Sequence, residues 1–115
     1  MIVGACLVEL HVEGAQSLKA KRGVVRSIVR RLRNRFNLAV SEIGGQDTWQ
    51  YVALGLAATG PDEATVRSLL ERAAEFIEDL HLAQVLSQDI EVVDLPHEEQ
   101  PWDPDDDDDD DAEDE

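Results

Sequence analysis

Cysteine occurs once in the 115 residues, at Cys6, so the chain can form no internal disulfide and offers no thiolate cluster to a metal. Cys6 lies inside an apolar run and reads as a small buried hydrophobe rather than a reactive thiol. The three histidines, His11, His81 and His97, stand far apart, without the spacing of a ligand set. Aromatic residues are few: two tryptophans, one tyrosine and two phenylalanines. No apolar run approaches the roughly 20 residues of a membrane-spanning helix. The first residues also lack the basic segment and cleavage site of a secretory leader, and a cytoplasmic protein without membrane partners is expected. There is no phosphate-cradling glycine loop, no nucleophile elbow and no closed metal motif. No catalytic residue, cofactor, metal or small-molecule substrate is therefore inferred, and the expectation is a protein that is not an enzyme. Glu9, His11, Glu42 and Asp47 are the only polar residues worth assembling into a site; Glu9 and His11 share a face of the first strand, but the other two belong to the sheet edge and a turn.

Basic residues are scarce and crowded. Eight of the ten fall between Lys19 and Arg35, and no acidic residue occurs between Glu13 and Glu42. The net charge of −16 is equally uneven. Residues 1–95 carry ten basic and thirteen acidic side chains, a net of −3, whereas residues 96–115 carry thirteen acidic and none basic. Seven consecutive aspartates, Asp105–Asp111, repel one another and cannot build a core. The chain thus divides into a domain over residues 1–95 and a disordered acidic tail over 96–115. Trp102, between Pro101 and Pro104, would either dock on the domain or sit in a loose linker.

Within the domain the hydrophobic pattern changes period several times. Residues 2–12, IVGACLVELHV, read as a strand with Gly4, Cys6, Val8, Leu10 and Val12 on one face and Val3, Ala5, Leu7, Glu9 and His11 on the other. The first face is wholly apolar or small and should meet the helices. Ser17 suits a helix N-cap, and Leu18, Val25, Ile28, Val29, Leu32 and Phe36 recur at three and four residues as a core stripe. Gly23 interrupts this helix, which implies either a frayed first turn or a close approach of backbone. Residues 38–43 read as a short strand, GGQD as a turn, and residues 49–59, WQYVALGLAAT, as a second long strand in a hairpin with the first of these. Pro61 is placed early in a second helix, whose apolar stripe runs from Val66 to Leu80 and whose outer face is acidic. Residues 84–95 form a last strand, with Ser87, Asp89 and Glu91 on one face marking it as exposed or at an edge.

The order strand, helix, strand, strand, helix, strand predicts an α+β fold of the ferredoxin-like βαββαβ kind. It has one four-stranded antiparallel sheet with two helices on one face and the two long strands central. The opposite sheet face would then be uncovered, with Val3, Leu7, Trp49 and Tyr51 as candidate sheet-face or dimer contacts and a homodimer as the expected state. Trp49 and Tyr51 are open to a second reading, as a platform for stacked bases.

The domain resembles the DUF503 or YlxP-like family of small bacterial proteins of unknown function. The resemblance is carried by MIVGACLVELHV, by SLKAKRGVVRSIVRRLRNRFNLAVSEI and by QDTWQYVALGLA. Leu18-Lys19, Lys21-Arg22, Arg35-Phe36-Asn37, Glu42, Asp47 and Trp49 fall in the family's order, over roughly residues 1–95, and the acidic tail lies outside the pattern. The resemblance implies a ferredoxin-like domain. Genes of the family often stand beside those for a ribosome-binding factor and a translation initiation factor, which implies by association a role near the ribosome. It implies no activity and no catalytic residue.

The basic helix points most directly to nucleic acid. Lys19, Arg22, Arg26, Arg30 and Arg33 share a solvated face, where cations at helical spacing can follow a phosphate backbone without reading base sequence. RNA or the ribosome is the partner this reading names. The competing readings are a charged face that only meets water and a surface for a protein or anionic ligand. Lys21 and Arg35 lie nearer the apolar stripe and are assigned to structure, their stems covering the core edge. The tail, strongly anionic and tethered to this helix, is expected either to compete for it or only to confer solubility.

Overall fold

A computed structural model of the chain describes residues 1–14 and 16–97. The elements are β1 (Ile2–His11), α1 (Leu18–Arg35), β2 (Ala39–Gly44), β3 (Tyr51–Gly60), α2 (Glu63–Leu80) and β4 (Gln84–Asp94). The strands form one antiparallel sheet in the order β2-β3-β1-β4, so the two long strands are central and β2 and β4 are edges. This is the ferredoxin-like α+β arrangement that the alternation of periods implies. Among the described residues no helix is long and apolar enough to cross a membrane. The acidic run lies outside them, as does the proposed docking of Trp102.

Alternation along β1 and β3 decides what is covered. Cys6, Val8, Leu10 and Val12 on β1 and its end, with Val52, Leu54, Leu56 and Ala58 on β3, are all buried. They meet Val25, Ile28 and Leu32 of α1 and Val66, Leu70, Ala73 and Ile77 of α2 in one core. Burial pushes the Cys6 thiol up to about 11, with the nearby Asp89 carboxylate adding to the effect, so the sulfur stays protonated near neutrality. Gly4 is required by packing: a Cβ there would stand 2.5 Å from Val66 Cγ1 and 2.8 Å from Leu70 Cδ1. α2 presses directly on the β1 backbone at this point.

Both helices begin on side-chain caps. The Ser17 hydroxyl accepts from the Ala20 amide at 3.1 Å, and the Asp62 carboxylate accepts from the Thr65 amide at 2.8 Å. Pro61 therefore sits one position ahead of the cap, outside α2, because Asp62 is the better acceptor for the orphan amides. Trp49 is likewise outside its expected element. β3 starts at Tyr51, and Trp49, 54 % exposed, stands in the bend after the β2–β3 turn. Gly45 makes that turn with φ +80°, a conformation a side chain would strain. Gly23 is helical and exposed, and an added Cβ meets nothing within 4 Å, so close approach among the described residues does not explain it.

Lys21 is the one charged residue in the core among those described, with none of its surface exposed. Its Nζ donates to the Gly45 carbonyl, joining the first turns of α1 to the β2–β3 turn. The stem fills core volume as the apolar stripe suggests, and the head is buried with it. At the other end of α1, the Phe36 and Phe76 rings meet edge to face at 5.5 Å, and the Arg35 guanidinium lies 5.9 and 5.2 Å from their centroids. Lys21 and Arg35 are both structural, in line with their place beside the stripe.

Candidate nucleic-acid interface

α1 runs back along the sheet, against α2 on one side and β2 on the other. Its buried stripe fixes its rotation about the axis, and the spacing of three and four residues then sends Lys19, Arg22, Arg26, Arg30 and Arg33 outward. All five are exposed. The ion pair found among the described residues is Arg67 with Glu63, at 3.2 Å on α2, and no basic residue of α1 comes within pairing distance of a carboxylate there. The arginines of α1 are instead held, where they are held at all, by neutral acceptors and rings. Arg31 Nε donates to the Ser27 hydroxyl at 3.1 Å, and Arg33 Nη2 donates to the Val40 carbonyl at 2.9 Å.

The Arg33 bond defines a groove. Val40 belongs to the edge strand β2, so one guanidinium N–H is spent on a carbonyl of that strand and draws α1 and β2 together. Between them lies an open depression of about 720 Å³, lined by Val25, Arg26, Val29, Arg30, Arg33 and Asn34 from the helix and by Val40, Ser41 and Glu42 from the strand. Arg26, Arg30 and Arg33 converge on it, whereas Lys19 and Arg22 continue the same stripe upstream without lining it. Among the described residues Glu42 is its single carboxylate. Three guanidinium groups facing an apolar and amide floor suit an anion that lies along the helix, through bidentate contacts that lysine would not reproduce.

The open sheet face has a different character. Val3, Ala5, Leu7, Gly55 and Ala57 lie on it, and a bulge in β2 sets Ile43 over Gly55, where a Cβ would be 3.3 Å from Ile43 Cγ2. Leu7 is 37 % exposed, and Ile43 and Val93 more so. Tyr51 shares this face but is committed: its hydroxyl donates to Glu9 Oε2 at 2.5 Å, and the Ser87 hydroxyl donates to Glu9 Oε1 at 2.6 Å. One carboxylate thus ties β3 and β4 together across β1. The Ser87 bond, and after it the Tyr51 bond, holds the Glu9 carboxyl below its ordinary range, while the same contact raises the Tyr51 phenol.

Of the expected sheet-face residues, Val3, Leu7 and Tyr51 share the face and Trp49 precedes it. Glu9, His11, Glu42 and Asp47 are not brought together. Glu9 is on the open face, Glu42 lines the groove on the helix side and Asp47 is in the exposed turn. Sequence reasoning missed the groove and the Glu9–Tyr51–Ser87 bridge. The first was foreshadowed by the position of β2 at the sheet edge, and the second by the shared parity of Glu9 and Ser87 on neighbouring strands. Among the described residues no three histidine, cysteine or acidic side chains are placed to hold a metal.

Residues 3–90 match the family model described as "Protein of unknown function (DUF503)". Over 77 residues the chain is 39 % identical to the uncharacterized protein YlxP of Bacillus subtilis (strain 168), covering 67 % of this chain and 84 % of that protein. The family match thus takes in α1, β2, β3 and α2 whole, β1 but for Ile2, and β4 as far as Ile90, and the chain belongs to the DUF503/YlxP-like family of small bacterial proteins of unknown function.

Proposed function

We propose that this protein is a non-catalytic accessory factor of the cytoplasm that contacts RNA, or RNA within the ribosome, through the outer face of α1. One observation carries the reading: five cations share a solvated stripe, and none of them comes within ion-pairing distance of a carboxylate of the described residues. Phosphate is the ligand that such a stripe suits, because affinity then comes from displaced counterions and needs no base contact. Structured RNA is met largely through shape and phosphate contacts, and the convergence of Arg26, Arg30 and Arg33 on one groove supports that reading. The test is binding of a fluorescent RNA hairpin to the full chain and to a variant carrying Arg26→Glu, Arg30→Glu and Lys19→Glu, which spares the Arg33 bond to β2. Binding by the wild type and at least a tenfold loss in a variant of unchanged circular dichroism is the expected outcome. Equal binding by the two would remove the assignment.

A second reading is favoured by the open sheet face. Leu7, Ile43 and Val93 are exposed on or beside small residues that let another surface approach closely, which supports a homodimer or a protein-interaction module built on that face. The two readings use opposite sides of the sheet and are not exclusive. Leu7→Glu separates them, because it disrupts self-association and leaves the RNA contact intact.

A further inference from the structure

We propose that the run Asp105–Asp111 occupies the groove between α1 and β2 and thereby regulates access of RNA to it. The proposal rests on the reading of α1 as a phosphate-contacting face for its consequence, but the docking itself stands on independent observations.

The lining of the groove is that of an anion site. Arg26, Arg30 and Arg33 line it against the single carboxylate of Glu42, and Arg33 is fixed in place by the Val40 carbonyl rather than free to turn away. Seven adjacent carboxylates supply the complementary charge in a form that needs no particular register. No other stretch of the chain does so. The acidic residues of α2 project singly from a helix that is already packed, and those of β4 alternate along a strand.

The geometry permits the contact. β4 ends at Asp94, opposite Ile2, and Ile2 in turn pairs with Gly60 at the end of β3. β2 begins at Ala39, opposite Ala57, so the last described residues and the C-terminal half of α1 lie toward the same end of the sheet. Three strand spacings separate β4 from β2, about 15 Å. The groove is centred on Val40, which is level with Ile90 through Leu56 and Cys6. From His97 the path back along the sheet is thus about 20–25 Å, at about 3.3 Å per residue. The eight steps from His97 to Asp105 span up to about 26–29 Å, and the fourteen to Asp111 up to about 46–50 Å. The path back to Val40 and across the sheet is about 27 Å in a straight line and longer around the surface, so the later aspartates reach the groove with slack. Tethering over such a distance corresponds to an effective concentration on the order of a millimolar. A site with an intrinsic affinity of about 0.1–0.3 mM would then be filled most of the time, and a competing ligand would bind about four- to tenfold more weakly.

The consequence is selectivity. Weak or short anions meet an occupied groove, whereas an RNA that also engages Lys19 and Arg22, upstream of the groove, gains contacts the aspartates do not block. The experiment compares the isotope-labelled full chain with a variant of equal length in which Asp105–Asp111 are all replaced by asparagine. At low salt, about 50 mM, where screening is weakest, amide and guanidinium signals of Arg26, Arg30, Arg33 and Val40–Glu42 should differ between the two. The differences should fade with added salt and be independent of protein concentration. In parallel, the variant should bind an RNA hairpin about four- to tenfold more tightly at low salt, with the gap closing as salt rises. Identical groove signals in the two proteins would overturn the proposal, as would differences that grow with concentration, which would place the aspartates in another molecule's groove. If the groove signals respond but neither protein binds the hairpin, the docking stands and the RNA reading fails. If both bind it equally and the groove is silent, the reverse holds.

Discussion

Lys21 is buried without a carboxylate partner among the described residues, and its ammonium group has the Gly45 carbonyl to offset part of the desolvation. Truncation removes four side-chain atoms from the core and leaves that carbonyl without its donor. Lys21→Ala should therefore destabilise the fold by about 2–4 kcal/mol, measured by urea unfolding, and a value below about 0.5 kcal/mol would show the site to be solvated. Glu9 gives a different kind of residue-level prediction. Its folded carboxyl titrates below its unfolded value, so its contribution is present above the ordinary glutamate range of about 4.3 and is lost as pH falls through the lower folded value. Glu9→Gln should flatten the acid limb of the stability curve in that window and change little at neutral pH beyond the loss of the bridge. An unchanged acid limb would mean that the hydroxyls of Ser87 and Tyr51 do not favour the ionised form. Neither role could be read from residue type alone. Lys21 was legible as structural from its place beside the apolar stripe, but the depth of its burial depends on where the β2–β3 turn comes to rest.

At the scale of elements, the positions where period and capping agree were legible to within a residue or two. Ser17, the alternation in β1 and the stripe of α2 each reflect local physics, hydrogen bonding at a helix end or the two faces of a pleat. Trp49 and Pro61 fell outside their expected elements because strand-like composition and an early-helix preference were outweighed there by turn geometry and by Asp62 as the cap. The groove was not legible, since it is made by two elements whose contact depends on one arginine and one backbone carbonyl seven residues away. Gly23 gives this scale its prediction. Its neighbours leave an added methyl group free, so Gly23→Ala should stabilise α1 by about 0.5–1 kcal/mol, seen as a rise in the urea midpoint at constant slope. No gain would indicate that the helix is already frayed at that turn.

At the scale of the molecule, charge is sorted rather than merely abundant. Cations line one helix, carboxylates fill the outer face of the other, and the strongest run of acid lies beyond the last strand. The two sheet faces are sorted as well, one built into the core and one left mixed, with small and aliphatic side chains beside Glu9, Asp89 and Glu91. This division was visible in composition and parity, and it confines the two functional readings to opposite sides of the domain. The central claim is that α1 meets phosphate through its arginines, and the dependence of RNA hairpin affinity on salt tests it most directly. In the variant whose Asp105–Asp111 are replaced by asparagine, with five cations engaged, the logarithm of the binding constant should fall with the logarithm of salt concentration at a slope of about −4, and the wild type should fall less steeply. Removing Arg26 and Arg30 together from that variant should reduce the slope by about 2. A slope that is flat in the asparagine variant, or one that does not change when those two arginines are replaced, would contradict the account.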